Sequence, residues 1–233
     1  WFFVADRVDG VPLHRLGRLA LLGNGDVLAV HHGGSELLAL SAEGSLRRRI
    51  GGRGEGPAEF ADLRDAWPCT DSLVVANDAD RYLKSFRPEG ELVETASLAL
   101  FPEAPLRVVG ADRGCSTFLL EKLSPPSSPV AGTIVFGTRR LFRLDPAADR
   151  LEPVEITSRW IGSFSAGMPT GATPIEAPFA LGDDVALGLD GSVIVISHDR
   201  GELVLHRPPG YAPSDTVRWS AVDVPERSAS WEE

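Results

Sequence analysis

Short apolar runs broken by polar turns recur along the chain. Val27-Leu28-Ala29-Val30-His31 reads as a strand, His32-Gly33-Gly34-Ser35 as a turn, and Glu36 to Leu40 as a second strand. Ala42-Glu43-Gly44 turns again and Ser45 to Ile50 forms a third strand. The unit returns without a gap. Leu73 to Asn77 matches Val27 to His31, Asp78-Ala79-Asp80-Arg81 matches the first turn, Leu83 to Phe86 the second strand, and Pro88-Glu89-Gly90 the second turn. Near the end, Gly191 to Ile196 falls on Gly25 to Val30, with Gly201-Glu202-Leu203 on Ser35-Glu36-Leu37. A period of roughly 40–50 residues with several strands per unit is the signature of a β-propeller. Leu13 to Leu22 reads as an inner strand ahead of the first full unit, and Trp1 to Val4 as an edge or closing strand.

Between the first two units lies Ile50-Gly51-Gly52-Arg53-Gly54-Glu55-Gly56-Pro57-Ala58-Glu59-Phe60. Its glycines lose too much backbone entropy to sit in a helix or strand, and Pro57 pushes Gly56 toward extended geometry. Phe60, Leu63 and Trp67 stand at helical spacing just after Pro57. Arg53 to Phe60 resembles the blade connector of bacterial six-bladed β-propellers related to NHL-repeat proteins, with Ala58 where the family has glycine. The resemblance runs from about Gly23 to Leu98 and more weakly to Tyr211. It implies a connector followed by an inner strand, and we expect that in place of a helix. The family pattern also places an arginine before the outer strand, and Arg81 stands one residue further from Phe86 than that pattern has.

The expected fold is all-β, a propeller of four-stranded blades. The family pattern is six-bladed, with about four blades in this chain and two absent from it. We expect one domain over residues 1–233, incomplete as a ring, with units at about 13–50, 60–98, 105–157 and 179–224. The third unit is irregular. Ser116 to Leu120 and Thr138 to Leu144 are its clear strands, and Ser124 to Pro129 is a proline-rich insertion that cannot be a strand. Gly162 to Pro178 reads as a long loop, and Ser228 to Glu233 as a frayed tail.

The formal charge of −10 is spread along the chain, which excludes a nucleic-acid backbone as the main partner. No apolar run approaches membrane-spanning length. The chain starts at Trp1 with no signal-peptide pattern. Cys69 and Cys115, the only cysteines, occupy comparable positions of adjacent repeats. Such positions in neighbouring blades usually lie further apart than a disulfide allows, so unpaired thiols are expected, with a bridge left open for an exported chain. Arg47, Arg48 and Arg49 read as a solvated outer edge. Trp160, Trp219 and Trp231 are assigned to packing rather than to a binding surface.

The glycine cluster has no Lys-Ser/Thr after it and no strand–loop–helix frame, so it is not a phosphate loop. Gly-x-Ser-x-Gly, His-Glu-x-x-His and calcium-loop spacings are absent. No catalytic residue and no metal ligand is assigned. If blades run from inner to outer strand, the turns at 32–35, 78–81 and 198–201 share one face with the connector. The candidates for a ligand site on that face are His31, His32, Arg53, Glu55, Asn77, Asp78, Asp80, Arg81, His198 and Asp199. The same residue types also serve as plain turn formers. The function expected is a non-catalytic scaffold that binds a protein or a small polar ligand on the loop face. The resemblance implies an extracytoplasmic bacterial protein. The alternative is a metal-dependent hydrolase resembling lactonase-type propellers, with a divalent cation such as calcium at the channel mouth.

Overall fold

The computed structural model describes residues 7–70, 72–124, 134–163, 175–176 and 183–220. The expectations placed on Trp1 to Val4, on most of Ser124 to Pro129 and Gly162 to Pro178, on the Trp160 side chain, on Trp231 and on the tail from Ser228 lie outside the described residues.

A short hairpin, β1 (Arg7–Val8) and β2 (Val11–Pro12), precedes four antiparallel sheets. The first contains β3 (Leu16–Leu21), β4 (Val27–His31), β5 (Glu36–Leu40) and β6 (Leu46–Gly51). The second contains β7 (Leu63–Thr70), β8 (Leu73–Asp78), β9 (Tyr82–Phe86) and β10 (Leu92–Ser97). The third contains β11 (Arg107–Ala111), β12 (Phe118–Ser124), β13 (Ile134–Asp145), β14 (Arg150–Ser163) and β15 (Ile175–Glu176). The fourth contains β16 (Asp183–Leu187), β17 (Val193–Ser197), β18 (Glu202–Arg207) and β19 (Ala212–Arg218). In each sheet strands pair in chain order, and the first strands β3, β7, β11 and β16 contact one another in succession. The arrangement is a β-propeller with these first strands at the centre.

Strand alternation builds the layers between blades. On β8, Val74 and Ala76 join Leu28, Val30 and Leu37 of the first blade. Val75, one residue out of phase, faces the third blade with Phe118 and Leu120. Leu119, again out of phase, packs on Val193 and Val195 of the fourth. β8 and β12 are therefore apolar on both faces, which is why their runs read as continuous hydrophobic stretches. The far face of the first blade, with Ala29 and Leu38, is covered with help from Val8 of the β1–β2 hairpin.

The connector closes on itself. Phe60 N–H donates to Gly52 O (2.8 Å) and Gly54 N–H to Phe60 O (3.0 Å). Gly51 has φ +80° and lies so near the Phe60 ring that a Cβ would come within 2.2 Å of it, so glycine is required on both counts. β7 follows as a strand, as the resemblance implied: Phe60, Leu63 and Ala66 all reach one inter-blade core because the connector turns the chain before the strand begins. Pro68 is tolerated because β7 is the edge strand of its sheet.

One expectation is corrected. Cys69 and Cys115 form a disulfide with Cα atoms 5.0 Å apart. Cys69 lies on β7, but Cys115 lies in the turn after β11 with φ +49°, and that turn folds back against the neighbouring blade. Their positions are not equivalent, so the spacing of equivalent sites does not apply.

Candidate functional site

The starts of the four first strands surround a polar cavity of about 1000 Å³. Their far ends surround a second, of about 870 Å³, walled by Trp67, Val109 and Leu187 among others. The first cavity is the mouth into which some of the predicted residues fall.

Four of the sequence candidates line it directly: His32, Arg53, Asn77 and Asp80. His32 donates from Nδ1 to the Leu63 carbonyl (2.9 Å), which leaves the lone pair on Nε2. Asn77 is buried and holds Asp80 twice, its Nδ2 donating to Oδ1 (2.7 Å) and its Oδ1 accepting the Asp80 N–H (3.1 Å). This clasp keeps Asp80 at φ +54° and turns its carboxylate toward Val108 N–H of the next blade (3.4 Å) and Arg64 (4.0 Å). His198 contributes through a neighbour, bonding Asp184 at 2.7 Å, and Asp184 lines the mouth.

The other candidates lie elsewhere. Asp78 is buried against Lys84 Nζ (2.9 Å) and accepts the Asp62 N–H (3.0 Å), so it anchors a turn. Arg81, Glu55 and Asp199 are exposed in their turns and do not line the mouth. His31 faces a separate cavity beside the first blade.

Sequence reasoning missed most of the charge at the mouth. Arg15, Asp62, Arg64, Arg107 and Asp184 stand just before or at the start of each first strand, a recurring position that inspection for turn motifs passes over. Glu121 and Arg139 were findable by another signal, a charge inside an apolar strand. They pair at 2.9 Å with both side chains buried, and Arg107 reaches the same carboxylate at 3.3 Å. Arg64 bonds Asp62 at 2.9 Å. The mouth is thus dense in mutually engaged cations and carboxylates drawn from all four blades. Among the described residues no group of three or more His, Cys, Asp or Glu side chains is arranged to hold a metal ion.

No protein-family model matches the sequence, and no curated protein matches it. Solved structures do. A Bacteroides fragilis protein described as exported is similar over 89% of this chain and 51% of its own, at 15% identity and TM-score 0.52. A member of the DUF4221 family from Bacteroides vulgatus is similar over 83% of this chain and 55% of its own, at 13% identity and TM-score 0.52. Virginiamycin B lyase from Staphylococcus aureus is similar over 86% of this chain and 68% of its own, at 11% identity and TM-score 0.43. The likeness is one of fold. The chain spans about half the length of the two Bacteroides proteins. No helix among the described residues is long and apolar enough to cross a membrane.

Proposed function

We propose that the protein is a non-catalytic β-propeller scaffold that binds a protein or a small polar ligand at the charged mouth. The supporting observation is the mouth itself. Side chains from four blades converge on one cavity, and their ionisable groups engage each other. Such a surface is preorganised for polar recognition. Arg15 and Arg53 are its most available cations, exposed and in no ion pair among the described residues. Residues 1–233 act as one propeller domain, part of a six-bladed ring of the NHL-related type. The connector motif and the half-length match to longer propellers support that assignment. An extracytoplasmic location is supported by the inter-blade disulfide, since such bonds persist in oxidising compartments.

The test is a thermal-shift panel of sugars, carboxylates and short peptides on the whole chain and on Arg15→Ala/Arg53→Ala, with a parallel lactone and ester screen in calcium. Ligands that raise the melting temperature of the parent and not of the variant support the scaffold. Calcium-dependent turnover abolished by Asp80→Asn sinks it and establishes the hydrolase.

A further inference from the structure

A third, smaller cavity of about 320 Å³ lies beside the first blade, where the β1–β2 hairpin meets the turn after β4. It is lined by His14, His31, Gly33, Gly34, Glu36 and Arg49, with the hairpin residues Gly10 to Pro12. Two of its groups are held by one buried carboxylate. Glu36, 2% exposed, accepts from His31 Nδ1 (3.0 Å) through Oε1 and from Arg49 Nε (2.6 Å) through Oε2. The bond from Glu36 raises the Arg49 pKa above its ordinary value, so the guanidinium is permanently charged.

The consequences for the two held groups differ. With Nδ1–H committed to Glu36, the remaining ring nitrogen of His31 is Nε2, an acceptor whenever the ring carries a single proton. That atom is buried and has no hydrogen-bond partner among the described residues. A buried acceptor left unpaired costs about 1–3 kcal/mol, so the position calls for a donor. Among the described residues Arg49 is committed through Nε alone, which leaves its two terminal nitrogens able to grip a carboxylate in a fork. Gly34 leaves the room that the buried Glu36 carboxylate occupies. A Cβ at Gly34 would come within 2.4 Å of Glu36 Oε1, and one at Gly33 within 2.5 Å of His14 Nε2. The His14 ring packs edge-on against His31 with centroids 5.4 Å apart. It is exposed, so it is the group an entering ligand displaces.

We propose that this cavity is a binding site for a small carboxylate bearing a neighbouring hydrogen-bond donor, a 2-hydroxy or 2-amino acid. The carboxylate is held by Arg49, and the hydroxyl or ammonium donates to His31 Nε2. The site is separate from the channel mouth and does not depend on the function proposed there.

The probes are glycolate, glycine and acetate, titrated into the whole chain and followed by the side-chain nitrogen resonances of His31 and by melting temperature. Glycolate or glycine should move the Nε2 resonance saturably and raise the melting temperature. Acetate, which lacks the donor, should bind about tenfold more weakly or worse, equivalent to about 1.4 kcal/mol. Arg49→Gln changes an exposed side chain and should weaken glycolate by a similar factor, with the His31 resonances of the free variant as its own baseline because Arg49 also bonds Glu36. His14→Ala should leave binding intact or tighten it. Equal affinity for glycolate and acetate, or no movement of Nε2 with any probe, overturns the proposal.

Discussion

The disulfide between the second and third blades is the covalent feature whose contribution can be worked from the fold. Cys69 and Cys115 are separated by 46 residues along the chain. Closing a loop of that length in the unfolded chain costs entropy, and the chain-entropy relation gives about 4 kcal/mol of stabilisation at 25 °C. For a domain of this size each kcal/mol is worth about 2–4 °C, so the bridge should raise the melting temperature by about 8–16 °C. The perturbation is Cys69→Ala/Cys115→Ala, chosen because both sulfurs sit in an apolar cluster with Trp67, Val108 and Phe118, where serine would bury an unpaired hydroxyl. Thermal unfolding is followed by circular dichroism with and without reductant. The oxidised parent should melt well above the variant, reductant should bring the parent down toward it, and the variant should ignore reductant. A parent and variant melting within about 2 °C of each other would refute the loop-entropy reasoning for this bridge.

Lys84→Met should destabilise by about 3–5 kcal/mol, because it leaves the buried Asp78 carboxylate without its cation. Lys84→Met/Asp78→Asn should recover part of that loss in urea unfolding, since Asn still accepts the Asp62 N–H. Gly51→Ala should cost about 2 kcal/mol or more, for the left-handed backbone and for the Phe60 ring it would strike. Gly25→Ala, at φ +87° with nothing within 4 Å, should cost about 1 kcal/mol, and the difference between the two urea midpoints isolates the Phe60 contact. Burial raises the Tyr211 pKa, with Arg143 opposing. The folded chain therefore holds that proton more tightly than the unfolded one, and the resulting stability is present below about pH 10 and lost as pH rises further. Tyr211→Phe should flatten the alkaline decline in stability, and an unchanged decline would place its cause elsewhere.

What the residues determine locally, they determine well. Val27 to His31 and Glu36 to Leu40 are strands with the bounds expected, because β-branched and leucine runs between glycine-rich turns have no better local alternative. The connector, too, is legible, since its glycines and Pro57 forbid regular structure and Gly51 must accept Phe60. β14 and β19 were harder to see. β19 is exposed throughout and carries Pro213, so an outer strand there has almost no apolar alternation to announce it. The helical spacing of Phe60, Leu63 and Trp67 shows the converse, a local pattern overruled because Phe60 and Leu63 fill one inter-blade layer while Trp67 fills the next.

Only the packing of blades decided the rest. Cys69 meets Cys115 because the turn after β11 folds back on β7, a juxtaposition that no spacing along the chain encodes. Arg15, Arg64, Arg107 and Asp184 are distant in sequence and share a cavity because successive first strands begin at the same end of the propeller. His31 and His32 are adjacent residues, yet strand alternation sends one to the small cavity beside the first blade and the other to the mouth. A candidate site drawn from turn residues selects one end of the molecule. Which side chains enter it depends on strand phase and inter-blade contacts, which arise only when the sheets stack.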